Sequence, residues 1–283
     1  MKIGIGLPNG LADIPGPMIA KWARRAEQRG FESLATTDRL IYPGMDSLVS
    51  LSLAGGATSE ISLVTNILLA PLYPPAILAK QWGSLAHATG NRITLGLAPG
   101  PREDDYIAAG VDYGARGKIL DEQAEFLRDA WARRAEGTAI CPGPVRIPVL
   151  FGGSSAATVR RATTLGDGWV AGALRDYSGQ SQFADRIRRA WQSAGRSGHP
   201  QMHAAVNFAL GDNDVTEAGR QHLGRYYGFI PQYAQLNITD LITSPRDAQE
   251  TVRAYRDLGF DRLLFHPTVG SLDQVDRLAD AVM

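Results

Sequence analysis

Short apolar segments alternate with longer segments in which apolar residues recur at helical spacing, from one end of the chain to the other. Eight such pairs can be counted, and the alternation is typical of β-strands and α-helices repeated around a parallel sheet. We therefore predict an α/β fold, a (β/α)8 barrel. An open, doubly wound sheet is the alternative architecture.

The boundaries follow from apolar runs, prolines at helix starts and glycines at helix ends. The predicted strands are residues 2–7, 33–37, 62–68, 91–98, 148–153, 166–172, 202–210 and 261–267. The predicted helices are residues 17–29, 45–58, 75–88, 117–134, 155–165 and 181–194, with a closing helix from residue 273. No linker of different composition divides the chain, so we treat residues 1–283 as a single domain.

The piece between strands seven and eight, residues 211–259, is too long for one helix and a loop. It contains "RYYGFIPQYAQLNI", which is aromatic and poor in charge. We predict that this insertion covers the mouth of the barrel and that Tyr226 and Tyr227 line a substrate pocket. The alternative for the two tyrosines is packing within a covering helix.

Charge and composition restrict the partners. Lys plus Arg and Asp plus Glu both number 29, so there is no basic surface to favour nucleic acid or a membrane, and a small-molecule substrate is expected. The five histidines are scattered without a metal-binding spacing, so no metal site is expected.

The single cysteine, Cys141, excludes an internal disulfide, and "CPGPVRIP" predicts an exposed loop. The first residues do not resemble a signal peptide, which leads us to expect a cytoplasmic protein.

Active sites of such barrels gather at the carboxyl ends of the strands, and this rule selects candidate residues. The candidates at the ends of strands one, two, three, four and eight are Asn9, Asp38, Arg39, Asn66, Gly100, Arg102 and His266. Asp38 and His266 are the catalytic candidates, while Asn9, Arg39 and Arg102 are expected in the substrate pocket. Asp38 could instead order its loop through Arg39, and His266 could be a hydrogen-bonded loop residue before Pro267.

A glycine-rich turn follows strand five. In "PVLFGGSSAATVRRATTLGDGWV", Gly152, Gly153, Ser154 and Ser155 lead into a helix and can offer free backbone N–H groups, hydroxyls and a helix dipole to an anion. This pattern predicts a phosphate-binding turn. In the alternative interpretation, Ser155 is only the helix N-cap and the glycines form a tight turn.

Several segments together resemble the luciferase-like flavin-dependent oxidoreductases, which include bacterial luciferase and relatives that use the deazaflavin coenzyme F420. The resembling segments, in order, are "IGIGLPNG", "FESLATTDRL", "LVTNILLAPLYPPAILAKQWGSL", "NRITLGLAPGPREDDYIAAGVDYGARGKILDE" and the glycine-rich segment above. Each segment is weak evidence alone, but the five occur in the family's order, and the resemblance covers nearly the whole chain. The resemblance implies the same barrel fold.

The resemblance also implies a cofactor site. The phosphate of FMN or F420 is expected on the glycine-rich turn, and the ring near Asp38, Asn66 and Gly100. It further implies a bulge in strand three with a cis peptide bond between Asn66 and Ile67. The sequence departs from the family in two places, since Asp38-Arg39 stands where luciferase has His-His, and Pro99 stands where luciferase has an arginine.

These departures argue against light emission and leave oxygen insertion and hydride transfer open. We favour a monooxygenase that uses reduced FMN, supplied by a flavin reductase, and expect a homodimer. An F420-dependent hydride-transfer enzyme is the first alternative. A noncatalytic flavin-binding barrel is the second, and a phosphosugar-handling barrel without flavin is the third.

Overall fold

Eight parallel strands close into a barrel in the order of the sequence, and β8 pairs with β1 to complete it. The computed structural model describes residues 1–132 and 139–283. The strands are β1 (Lys2–Gly6), β2 (Ser33–Thr36), β3 (Ser62–Leu68), β4 (Ile93–Leu97), β5 (Val149–Gly152), β6 (Gly168–Val170), β7 (Gln201–Phe208) and β8 (Arg262–Pro267). The predicted (β/α)8 barrel is confirmed, and the open sheet is excluded.

Helices surround this barrel. They are α1 (Pro17–Gln28), α2 (Ser47–Ala57), α3 (Pro75–Ala88), α4 (Glu103–Ala109), α5 (Arg116–Ala132), α6 (Ala156–Thr164), α7 (Tyr177–Ser193), α8 (Asn213–Tyr227), α9 (Pro231–Thr239), α10 (Pro245–Asp257) and α11 (Asp273–Val282). The last two residues of the predicted helix 117–134 lie outside the described residues. Among the helices of the described ranges, none combines the length and the apolar character needed to cross a bilayer.

Helix α4 lies where the sequence was interpreted as a loop. Three acidic residues occupy its first turn, where they stabilise the positive end of the helix dipole, and Gly110 ends the helix with φ +67°. Two of these features, acidic residues at the start and glycine at the end, are sequence signals for a short helix. No helix was predicted between residues 98 and 117, so the sequence prediction missed α4.

Cys141 lies in the interior, so the prediction of an exposed loop was wrong at this position. Its side chain is buried, and its Sγ lies 3.6 Å from the carbonyl oxygen of Ala79 in α3. The indole of Trp131 donates to the same carbonyl oxygen at 3.0 Å. The Pro/Gly-rich segment therefore packs against the core through its own apolar residues, among them Val145 and Ile147.

The piece 211–259 folds as α8, α9 and α10. Side-chain caps begin two of these helices, because Asp212 accepts from the N–H of Val215 and Ser244 accepts from the N–H of Asp247. Helix α10 packs on α11 and leads into β8, as the regular helix of the last unit does. Residues at the end of α8 and in α9 line cavities at the barrel mouth, and the interpretation of these two helices as an insertion stays a prediction.

Candidate active site

Two cavities lie side by side at the carboxyl ends of the strands. The inner cavity, of about 300 Å³, is lined by Gly100, Gly152, Gly153, Ala173, Asn207 and His266, among others. The outer cavity, of about 390 Å³, is lined by Arg39, Arg102, Asp105, Tyr226, Phe229 and Ile230, among others. Both are also lined by Asn66, Ile67, Leu69, Tyr227 and Tyr233, so the two cavities form one continuous cleft.

A bulge in β3 forms the boundary between the two cavities. The peptide bond between Asn66 and Ile67 is cis, as predicted, and the register of β3 against β4 shifts between Thr65 and Leu68. A Cβ on Gly152 would collide with the Ile67 side chain. Glycine in β5 therefore leaves the space that the Ile67 side chain occupies.

Asp38 lies at the end of β2 and lines the outer cavity. Its Oδ2 accepts from the N–H of Leu69 at 2.9 Å, and its carboxylate accepts from the hydroxyl of Tyr73 at 3.2 and 3.3 Å. Burial raises the pKa of Asp38 to about 6, against the opposing effect of these two hydrogen bonds. The carboxyl thus orders the segment after the bulge and changes its protonation near neutral pH. The alternative that it orders its loop through Arg39 is not what the geometry shows.

His266 and Asn66 meet across the barrel mouth. The Nε2 of His266 lies 2.8 Å from the Oδ1 of Asn66, and both side chains are buried. Burial lowers the pKa of His266 to about 4, so the ring is neutral at pH 7. The Nδ2 of Asn66 is buried without a hydrogen-bond partner in the described part of the chain. An orphaned amide donor beside a cavity is expected where a ligand supplies the acceptor.

The glycine-rich turn contributes Gly152 and Gly153 to the inner cavity. Gly153 has φ +104°, a conformation that favours glycine, and the indole of Trp169 donates to its carbonyl oxygen at 2.8 Å. Ser155 is the N-cap of α6, because its Oγ accepts from the N–H of Thr158 at 3.2 Å. Ser154 and Ser155 are exposed and line neither cavity. The first-turn N–H groups of α6 still offer an anion site next to the cavity.

Arg39 and Arg102 share one buried carboxylate at the wall of the outer cavity. The Nε atoms of Arg39 and Arg102 lie 3.4 and 3.9 Å from the Oδ2 of Asp105, whose side chain is fully buried. Both guanidinium groups stack on the ring of Phe229, at 5.5 and 4.6 Å. Arg102 also pairs with Asp104. The two positive charges are therefore compensated locally.

Arg39 also fastens the end of α8. Its Nη1 donates to the carbonyl oxygen of Tyr226 at 3.0 Å, and its guanidinium lies 5.0 Å from the centre of the Tyr226 ring. We expect Arg39→Lys to speed amide hydrogen exchange at the end of α8 by about tenfold or less, because lysine lacks the planar group and this hydrogen bond. Exchange measured by mass spectrometry checks this. Arg220→Lys, on the exposed side of the same helix, is the control, and equal exchange in both variants would contradict the assignment.

Asn9 lines neither of these two cavities, and its expected place in the substrate pocket stays a prediction. Its Nδ2 donates to the carbonyl oxygens of Thr37 at 2.8 Å and Met45 at 3.1 Å, and its Oδ1 accepts from the N–H of Thr37. Both polar atoms of the Asn9 amide are therefore engaged in hydrogen bonds that join the loops after β1 and β2. Gly100, with φ +68°, does line the inner cavity.

Some cavity residues were not selected from the sequence. Among them are Asp105, Asn207, Phe229, Ile230 and Tyr233. The strand-end rule could have found Asn207 in β7, and the aromatic segment that was singled out contains the last three. Asp105 carried no such signal, because it belongs to a run of charged residues. Within the described ranges, no group of three or more His, Cys, Asp or Glu residues could hold a metal ion.

The protein-family model for luciferase-like monooxygenases matches residues 1–275. The chain is 30% identical to an uncharacterized protein of Mycobacterium tuberculosis over 214 residues, which cover 64% of this chain and 74% of that protein. It is 24% identical to the F420-dependent glucose-6-phosphate dehydrogenase of Intrasporangium calvum, with 86% of each chain covered.

Solved structures give the same fold at low identity. An F420-dependent secondary alcohol dehydrogenase aligns with a TM-score of 0.82 and 16% identity, covering 100% of this chain and 98% of its own. The monooxygenase RslO1 of Streptomyces bottropensis aligns with a TM-score of 0.82 and 19% identity, covering 99% of this chain and 96% of its own. The oxygenating constituent of 3,6-diketocamphane monooxygenase from Pseudomonas putida, solved with FMN, aligns with 0.75 and 15%, also covering 99% and 96%.

Proposed function

The chain belongs to the luciferase-like monooxygenase family, and on that premise we propose that it is an oxidoreductase that uses reduced FMN to oxygenate a small organic substrate. The observation that carries this proposal is the continuous cleft, which is lined by Asn66, whose amide donor is buried and unpartnered in the described residues, and lies next to a glycine-rich helix start. A planar cofactor with an anionic tail needs both features.

The residues around the inner cavity fit such a cofactor. Ile67 and the bulge would support the ring, and Asn66 would donate a hydrogen bond to it. Gly100 leaves room for the Leu69 side chain in the wall of the cavity. The turn at Gly152 and Gly153, with the start of α6, would bind the phosphate. When bound, reduced FMN supplies the electrons and the reactivity towards O2.

The outer cavity suits a substrate with little charge. Its walls are mostly apolar and aromatic, with Leu69, Phe229 and Ile230 among them, and its two arginines are already paired with carboxylates. A sugar phosphate would need free cationic groups to replace its lost hydration. A small, largely apolar substrate is therefore the better fit. The tyrosines of α8 and α9 would exclude water from it.

Asp38 would hold or release a proton in the wall of the outer cavity. Its pKa of about 6 allows both protonation states near neutral pH, which suits a general acid or base. His266 stays neutral, and its Nε2 is occupied by Asn66, so it is the weaker candidate for proton transfer. A catalytic role for either residue stays a prediction.

A titration tests the cofactor. The protein is titrated with FMN and with F420 under the same conditions, and binding is followed by absorbance and fluorescence. We expect FMN to bind at least about tenfold more tightly than F420, an affinity difference of about 1.4 kcal/mol. Oxygen consumption with reduced FMN, above that of free cofactor, then identifies substrates in a panel of small ketones, aldehydes and alcohols.

F420-dependent hydride transfer is the second candidate function. It is supported by the F420-dependent glucose-6-phosphate dehydrogenase relative, which is similar over 86% of this chain. Tight binding of F420 without measurable affinity for FMN would overturn the FMN proposal in favour of this one. Failure of both cofactors to bind would overturn both proposals. A bound flavin with no turnover on any panel member would leave a noncatalytic flavin-binding protein.

A further inference from the structure

The hydrogen bond between His266 and Asn66 joins strands that are not neighbours. His266 is in β8 and Asn66 is in β3, so β1 and β2 lie between them in the barrel. The two residues are 6% and 8% exposed, and they lie 200 residues apart in the sequence. Strand pairing does not require such a bond. It has to be explained by what it does to the two side chains.

The ring of His266 is confined on its other side. A Cβ on Gly6 in β1 would lie 2.6 Å from the Nδ1 of His266 and 2.8 Å from the ring of Pro267. Glycine at this position leaves the space that the imidazole fills. The ring is therefore held by packing in one place, from which its Nε2 reaches the side chain of Asn66.

A neutral imidazole carries one proton, on either Nδ1 or Nε2. Because Nε2 faces the carbonyl oxygen of the Asn66 amide, the ring proton must be on Nε2 for the contact to be a hydrogen bond. The amide is then fixed with its Nδ2 turned away from the histidine, and that Nδ2 is the buried donor without a partner. With the opposite tautomer, the amide would flip and present an acceptor to the cleft instead.

We propose that His266 is a positioning residue, which holds the Asn66 amide so that Asn66 donates a hydrogen bond to a carbonyl oxygen of the cofactor ring in the inner cavity. This inference rests on the proposed function. It holds for FMN and for F420 alike, because both rings carry carbonyl oxygens. In this role His266 need not touch the cofactor or the substrate. It determines whether the cleft offers the ligand a donor or an acceptor.

A double-mutant cycle on the cofactor affinity tests the proposal. With the tighter of FMN and F420 as the probe, we expect His266→Ala and Asn66→Ala each to weaken binding by about tenfold, the loss of one oriented hydrogen bond. We expect the double variant to be no weaker than Asn66→Ala alone. Multiplying losses, about a hundredfold in the double variant, would overturn the proposal.

Two further variants separate positioning from packing. Glutamine can place an N–H near the Asn66 carbonyl oxygen, so His266→Gln is expected to bind within about threefold of the native protein. His203 in β7 is also a buried histidine whose pKa burial lowers, and it lines neither cavity. His203→Gln is therefore the matched control, expected to leave affinity unchanged. A loss in His266→Gln as large as that in His266→Ala would overturn the proposal, and so would a loss of that size in His203→Gln.

Nitrogen-15 NMR of the histidine rings gives a readout that needs no cofactor. His266 is identified by the signal missing from His266→Gln, and its shifts are expected to show a neutral ring protonated on Nε2 from pH 5.5 to 8. A proton on Nδ1 would overturn the positioning proposal even if the cofactor binds. If neither cofactor binds to the native protein, the proposed function fails, while the tautomer still decides how Asn66 is held.

Discussion

Replacing Gly153 by aspartate is expected to weaken cofactor binding by about 30-fold or more, which corresponds to about 2 kcal/mol. Gly153 lines the inner cavity with φ +104°, beside the start of α6, where the cofactor phosphate is proposed to bind. Aspartate would add a negative charge next to that phosphate and impose a conformation that costs a non-glycine residue about 1 to 3 kcal/mol. Titration of the folded variant with FMN and F420 measures the effect.

Asparagine at the same position is the matched control, because it has the size of aspartate without its charge. We expect Gly153→Asn to lose less affinity than Gly153→Asp, and the difference to shrink in high salt, which screens partly exposed charges. Gly198→Asp, at an open turn with φ +68°, controls for a new carboxylate far from the cleft. Unchanged affinity in a folded Gly153→Asp protein would remove the phosphate site from this turn.

Most of the fold could be predicted because the barrel repeats a local pattern. The bounds of β3 and α3 agree with the sequence prediction at both ends, since Pro75 begins the helix and a continuous apolar run defines the strand. The carboxyl ends of β1, β2, β4, β5, β6 and β7 were predicted one or two residues too late. Leu7 and Ala171, just past two of these strand ends, are apolar, buried and still hydrogen-bonded to the neighbouring strand, so composition does not mark where the strand ends.

The candidate site was predictable in position and less so in detail. The strand-end rule found Asp38, Asn66 and His266, which the structure places around the cleft. The same rule selected Asn9, which the structure uses to join two loops. Whether a side chain at a strand end turns into the cleft or sideways into a loop depends on hydrogen-bond partners that are distant in sequence.

Pairwise relations at the site could not be read from the sequence at all. The hydrogen bond between His266 and Asn66 and the ion pair between Arg39 and Asp105 depend on the closed barrel, which brings distant residues together. Asp105 shows this most clearly. In the sequence it belongs to an acidic run, yet in the structure it is fully buried, with Oδ1 accepting from the N–H of Ile41 at 2.7 Å.

The second large effect concerns Asp38, whose pKa burial raises from 3.8 to about 6. A carboxyl with a higher pKa in the folded state binds its proton more tightly there, so it stabilises the fold fully only below pH 3.8. That stability is lost as the pH rises through 6. At about 1.4 kcal/mol per pKa unit, the total loss is about 3 kcal/mol. Asp38→Asn does not titrate and should not show it.

The measurement is the free energy of unfolding in urea, for the native protein and for Asp38→Asn, between pH 4.5 and 7. Other groups titrate equally in both proteins, so the difference between the two curves isolates Asp38. We expect this difference to shift in favour of Asp38→Asn by about 2 kcal/mol across the range, since part of the effect lies below pH 4.5. Parallel curves would show that Asp38 is already ionised throughout and would remove it as a proton-handling group.

Tyr73→Phe sharpens the test, because the hydroxyl of Tyr73 donates to Asp38 and thereby lowers its pKa. Without that hydroxyl, the pKa of Asp38 should rise above 6, and the pH range over which stability is lost should move upward.

Turnover tests whether Asp38 also transfers a proton. Asp38→Asn is expected to lose about a hundredfold in kcat on the first substrate found by oxygen consumption. Asp38→Asn could remove the pH dependence of the free energy of unfolding and leave kcat unchanged. Asp38 would then order the β3 bulge through the N–H of Leu69 and would not transfer a proton.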